Sequence, residues 1–180
     1  MTGWPVIVGV DSPAATKDLA GRLARLCTSG DVILLVGDLG AGKTAFAQGF
    51  AAALGVQGPV TSPTFALVRQ YRCAVGKPVE TLIHADVYRT GSLGEVAELA
   101  LAELVEERAV ALIEWGDLAA PAVGDDALEV TLELPDPIDA TSAEQRRITI
   151  RGRGRWSGRA DVVARALSMS APGAAPGAAP

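Results

Sequence analysis

Gly37-Asp38-Leu39-Gly40-Ala41-Gly42-Lys43-Thr44 is the stretch whose reading decides the fold. It fits G-x-x-x-x-G-K-[ST], the phosphate-binding P-loop pattern. Its flanks have the order that pattern requires. Val32-Ile33-Leu34-Leu35-Val36 is apolar and rich in β-branched residues, so it reads as a strand, and Ala45 to Leu54 reads as a helix that stops at Gly55. The glycines let the backbone wrap around an anion with no Cβ in the way, so successive N–H groups point at phosphate oxygens. The helix that starts at the loop adds its positive dipole end at the same spot. In this pattern Lys43 reaches the β- and γ-phosphates and the Thr44 hydroxyl ligates Mg²⁺. A chance lysine in a glycine-rich turn is a poor account, because the chain holds only Lys17, Lys43 and Lys77. The reading is a nucleoside triphosphate held by Asp38, Leu39, Gly40, Ala41, Gly42, Lys43, Thr44 and Ala45.

At 180 residues the chain suits one ordinary domain, and 49% hydrophobic residues suffice for its core. Two cysteines at unrelated positions, Cys27 and Cys73, argue against a disulfide framework or a metal cluster and for a reduced, cytoplasmic setting. No apolar run approaches the roughly 18 residues of a membrane span, so no membrane partner is expected. No basic region precedes Val6-Ile7-Val8, so no secretory signal is read. Residues 146–180 hold seven arginines against the single acid Asp161, whereas the rest of the chain is acidic.

Along the chain, Val6 to Val10 reads as a strand, and Ser12-Pro13 as a cap and first turn for a helix whose buried face is Ala15, Leu19, Leu23 and Leu26. Gly58 to Thr64 reads as a loop. Phe65–Arg72 and Val79–His84 read as two strands with too short a connection for a parallel crossover, hence an antiparallel hairpin. Ser92 caps a predicted helix from Leu93 to Glu107. Ala109 to Ile113 is continuously apolar, which marks a strand buried on both faces. Leu128–Leu134 and Arg147–Arg151 read as late antiparallel edge strands, and Gly158–Leu167 as a helix. The expected fold class is α/β, a P-loop NTPase with a mostly parallel central sheet, an antiparallel hairpin and those late edge strands. Residues 1–152 form the P-loop ATPase domain, 153–170 a basic, partly helical C-terminal segment, and 171–180 a disordered Gly/Ala/Pro tail.

Hydrolysis needs more than a phosphate cradle: a metal ligand set and a group that orients or deprotonates water. Asp86 and Glu114 both stand at strand ends, where ligands lie in open α/β sheets, and Glu114 follows the more convincing central strand. Asp86, Glu114 and Lys43 are therefore the catalytic candidates, and Thr44 with Glu114 the metal ligands. His84, the single histidine, reads as a packing residue. Trp115 either covers the nucleotide or packs. Ser62 and Thr64 lie where nucleotide switches sense a γ-phosphate. The arginines between Arg146 and Arg159 read as a solvated edge or as a surface for RNA or an acidic partner. The chain has no asparagine, so it lacks the Asn-Lys-x-Asp element associated with guanine reading, and ATP is favoured.

Gly-Asp-Leu-Gly-Ala-Gly-Lys-Thr, Ser-Pro-Thr-Phe, His-x-Asp-x-Tyr-Arg (His84, Asp86, Tyr88, Arg89) and Glu-Trp-Gly, in that order, closely resemble the bacterial TsaE (YjeE) family from about Thr16 to Leu134. The resemblance implies the ATPase component of threonylcarbamoyladenosine synthesis on tRNA, acting on a TsaB–TsaD pair. TsaD transfers the threonylcarbamoyl group, and ATP hydrolysis supports repeated turnover. tRNA is then met indirectly, through that complex. The resemblance also implies Lys43 and Thr44 at the phosphates, Glu114 on Mg²⁺, Asp86 as an essential acid near the γ-phosphate and Thr16 close to the nucleotide. Thr90 departs from a usual leucine, and residues 153–180 lie outside the family pattern. The alternatives are a small P-loop kinase acting on a metabolite and a nucleotide-binding adaptor without hydrolysis.

Overall fold

The computed structural model describes residues 3–63, 68–88, 108–134 and 144–168. Thr64, Thr90, the helix expected from Leu93 to Glu107 and the tail 171–180 lie outside the described residues. Seven strands form one sheet: β1 (Val6–Val10), β2 (Val32–Val36), β3 (Val68–Arg72), β4 (Thr81–Asp86), β5 (Ala109–Glu114), β6 (Leu128–Glu133) and β7 (Arg146–Gly152). Their order across the sheet is β1-β7-β6-β2-β5-β4-β3. The middle is parallel, with β6, β2, β5 and β4 side by side in one direction. At one end β3 folds back on β4 as the expected hairpin, with Val68 opposite Ala85 and Arg72 opposite Thr81. At the other end β7 runs antiparallel to β6, and β1 adds outside it and forms that edge, so the two late strands are not the expected edge strands: both are interior, and β6 pairs in parallel with β2.

Alternation along the strands covers both faces. Ile33 and Leu35 of β2, with Val110 and Leu112 of β5, join a core against helices α1 (Pro13–Ala24) and α2 (Lys43–Ala53). Val32 and Leu34, with Ala111 and Ile113, face the other way, toward α3 (Gly116–Val123). This is the period-two rule acting on strands with no polar side. Helix α1 starts as the sequence implies, with the Ser12 hydroxyl accepting from Ala15 N–H at 3.2 Å and Pro13 in the first turn. Helix α2 buries Phe46, Ala47, Phe50 and Ala51 on one side. At Gly49 it touches the α1 backbone so closely that an added Cβ would lie 2.6 Å from the Lys17 carbonyl carbon.

The C-terminal segment belongs to this core. A 3-10 turn (Gly154–Arg159) carries Trp156 into it, and helix α4 (Ala160–Ser168) adds Val163 and Leu167. Three arginines of the segment bind the domain's own groups. Arg155 lies 3.5 Å from the buried Asp31, Arg153 3.4 Å from Glu129, and Arg159 donates to the Leu26 carbonyl at 2.7 Å while covering the Trp156 ring. Arg153 and Arg155 stay about half exposed while making these contacts. Among the described residues no helix is long and apolar enough to cross a membrane.

Candidate functional site

Because β2, β4 and β5 are parallel, their carboxyl ends lie at one edge of the sheet. The P-loop leaves β2 there, Asp86 ends β4 and Glu114 ends β5, the two acids standing opposite each other in register. A cleft of about 480 Å³ opens at this edge, with Lys43, Thr44, Ser62, Asp86, Glu114 and Trp115 on its walls.

The loop has the conformation its glycines allow. Gly37, Gly40 and Gly42 have φ of +143°, +83° and +108°. At Gly37 a Cβ would also run into the Leu132 carbonyl oxygen on β6, so this glycine is required both by its dihedral and by its neighbour. Gly42 caps α2, which begins at Lys43. Inside the loop Ala41 N–H bonds to the Asp38 carbonyl at 3.1 Å, whereas the N–H groups of Gly40, Gly42, Lys43 and Thr44 have no acceptor among the described residues. Those donors at a helix start are suited to an anion.

Lys43 lies back over the loop, its Nζ donating to the carbonyls of Gly37 at 2.6 Å and Asp38 at 2.9 Å. The same nitrogen is 4.0 Å from the centre of the Trp115 ring, and Tyr88 stacks on Trp115 at 4.2 Å. Burial lowers the Lys43 pKa below its ordinary 10.5, while Glu114, Asp86, Asp38 and Asp117 act in the opposite sense. Trp115 packs on Tyr88 and stands in the cleft lining. It does so from a left-handed backbone, φ +60°, at the turn between Glu114 and α3.

Asp86 is held from two sides. Its Oδ2 accepts from the Ser62 hydroxyl at 3.2 Å and its Oδ1 from the Tyr88 N–H at 3.0 Å. This bond joins the hydroxyl loop after α2 to the acid at the end of β4. Glu114 is buried, and its Oε1 lies 2.9 Å from Nε2 of the buried His84. Thr16, by contrast, is not on the cleft wall. It is buried in α1 with its hydroxyl donating to the Ser12 carbonyl at 3.2 Å.

Thr44 and Glu114 both line the cleft with hard oxygen donors, the kind that suits Mg²⁺. Among the described residues no three His, Cys, Asp or Glu side chains form a metal cage. A cation here would take its remaining ligands from phosphate and water, as Mg²⁺ commonly does.

One residue of the site was not legible as such. Arg146, read from sequence as part of a basic stretch, reaches from β7 to the P-loop and donates to the carbonyls of Ala41 at 2.9 Å and Gly40 at 3.3 Å. It braces the loop from the side opposite Asp86 and Glu114 in the sheet order. Nothing local in the sequence signals this, because the partners are more than a hundred positions apart.

A parallel-centred sheet, a glycine loop between its strand β2 and helix α2, and two acids at the carboxyl ends of the neighbouring strands define the P-loop NTPase class of α/β protein. Comparison with known proteins narrows this. The family described as threonylcarbamoyl adenosine biosynthesis protein TsaE matches residues 10–146. The tRNA threonylcarbamoyladenosine biosynthesis protein TsaE of Streptomyces coelicolor is 37% identical over 143 residues, covering 78% of this chain and 93% of its own. The protein of that name in Bacillus subtilis is 38% identical over 122 residues, covering 68% and 73%. The crystal structure of YdiB from Bacillus subtilis superposes with a TM-score of 0.69 at 28% identity, over 93% of this chain and 97% of that one. The chain belongs to the TsaE family, whose place is in tRNA threonylcarbamoyladenosine biosynthesis.

Proposed function

We propose that the protein is a Mg²⁺-dependent ATPase of tRNA threonylcarbamoyladenosine synthesis, which acts on a TsaB–TsaD complex and sustains its turnover. The observation that carries this reading is the convergence of Lys43, Thr44, Asp86 and Glu114 on one cleft at the carboxyl edge of the sheet. The open N–H groups of the loop and the Lys43 ammonium bind the β- and γ-phosphates. Thr44 and Glu114 hold the metal, which when bound offsets charge on the phosphate oxygens. Asp86, fixed by Ser62 and the Tyr88 N–H, orients or deprotonates the attacking water. With no asparagine the chain lacks the Asn-Lys-x-Asp element associated with guanine reading, which favours ATP over GTP.

A metabolite kinase usually needs an arginine-bearing lid. Of the C-terminal arginines, Arg153, Arg155 and Arg159 are bonded to Glu129, Asp31 and the Leu26 carbonyl, which counts against their forming one. The two acids in the cleft count against a non-hydrolysing adaptor.

The Ser62–Asp86 bond supports a nucleotide-gated partner surface. A ligand shifts a loop equilibrium only through contacts that differ between states, and the γ-phosphate is the group that distinguishes ATP from ADP. A coupling of about 1–3 kcal/mol corresponds to roughly 5–150-fold in partner affinity. Affinity for a TsaB–TsaD pair, measured with a non-hydrolysable ATP analogue and with ADP, is expected to differ by that factor. The difference should shrink in Ser62→Ala. Equal affinities in the two nucleotide states would remove the gating.

A further inference from the structure

His84 was expected to be a packing residue, and its full burial fits that. Its polar contacts do not. It stands on β4 two residues before Asp86, in register with Leu112, which is two residues before Glu114 on β5. Side chains two apart on a strand share a face, so the imidazole lies diagonally across from the Glu114 carboxylate. The result is the 2.9 Å contact between Nε2 and Oε1. An ionised carboxylate only accepts, so Nε2 carries the hydrogen. Nδ1 is buried and has no hydrogen-bond partner among the described residues. Burying an unpaired ring nitrogen is costly, and an apolar side chain of similar size would fill the space without that cost. Packing therefore accounts for the site of the ring but not for its chemistry.

We propose that His84 is a positioning residue for Glu114. Its Nε2–H holds Oε1, which fixes the rotation of the carboxylate and leaves Oε2 as the oxygen for a divalent cation shared with Thr44. The inference rests on the proposed role of Glu114 as metal ligand. Hydrogen-bond partners that orient a metal-binding side chain are typically worth about 10–100-fold in metal affinity.

The test uses Mn²⁺ as a paramagnetic probe in the full-length protein with ADP, comparing wild type, His84→Leu and His84→Gln. Leucine fills the space without a donor, whereas glutamine keeps an N–H at similar reach. His84→Leu is expected to weaken Mn²⁺ binding about 10–100-fold while ADP affinity without metal stays the same. His84→Gln should recover most of the loss. Mn²⁺ binding in His84→Leu equal to wild type, or no recovery by glutamine, would overturn the role of His84 alone. Wild type that binds ADP but no Mn²⁺ would overturn the metal role of Glu114, and this inference with it. A readout free of variants is also available, because the chain has one histidine and its ring ¹⁵N signals need no assignment. They should report a hydrogen on Nε2 and none on Nδ1 in the folded protein. The opposite tautomer would overturn the proposal even if both variants fail to fold.

Discussion

Lys43 sets the terms at the scale of single residues. Its charge is held by two loop carbonyls and an aromatic face, in a position from which burial lowers its pKa. Phosphate favours the charged form, so nucleotide binding raises that pKa again. The sign follows. Affinity is full below the pKa of the free protein's lysine and falls as pH rises through it, and because that pKa lies below 10.5 the fall begins earlier than for an exposed lysine. Lys43→Ala should lose about 1.5–3 kcal/mol of nucleotide affinity, a charge-assisted bond's worth, and should lose the alkaline fall too. Calorimetry across pH would check both; unchanged affinity in the variant would mean that the loop does not hold phosphate as described.

At the scale of elements, the contact between α1 and α2 decides how the P-loop helix is seated. In an exposed helix Gly→Ala stabilises by roughly 0.5–1 kcal/mol. At Gly49 the sign should reverse, because a Cβ would meet the Lys17 backbone, which cannot rotate away. Gly49→Ala is expected to cost about 1–3 kcal/mol in a denaturant melt, and a neutral or stabilising result would show that the helices separate freely. The same contrast explains what could be read from sequence. Strand β2, its loop and α2 were legible because glycine spacing, an apolar run and a helical stripe lie next to one another in the chain. The hairpin was legible from its short connection, and α1 from Ser12-Pro13. What escaped depends on strand order. That β1 lies outside β7, that Arg146 reaches Gly40 and Ala41, and that His84 faces Glu114 all require knowing which strands are neighbours. The parity of His84 with Asp86 was visible; the pairing of β4 with β5 was not. Thr16 had only a family match behind it, and its side chain bonds within its own helix.

At the scale of the whole molecule, the sheet's covered face is completed by the C-terminal segment rather than ending at β7. Trp156 is fully buried, part of a core cluster that also takes in residues of β1, β7 and α4, beyond the boundary at residue 152 expected from the sequence. Trp156→Ala should therefore cost about 3–5 kcal/mol, with a melting drop of about 2–4 °C for each of them, and no change would place this segment outside the domain's stability. The site is built the same way, by topology: parallel strands deliver the P-loop, Asp86 and Glu114 to one edge from positions far apart in the chain. The most direct test is phosphate release from ATP with Mg²⁺ and no added acceptor, measured for the protein alone and with a TsaB–TsaD pair. The expected result is slow release alone, faster release with the pair, and its loss in Asp86→Ala and Glu114→Ala while nucleotide affinity is largely kept. No release in either setting, full release in both variants, or transfer of the phosphate to a metabolite would contradict the account.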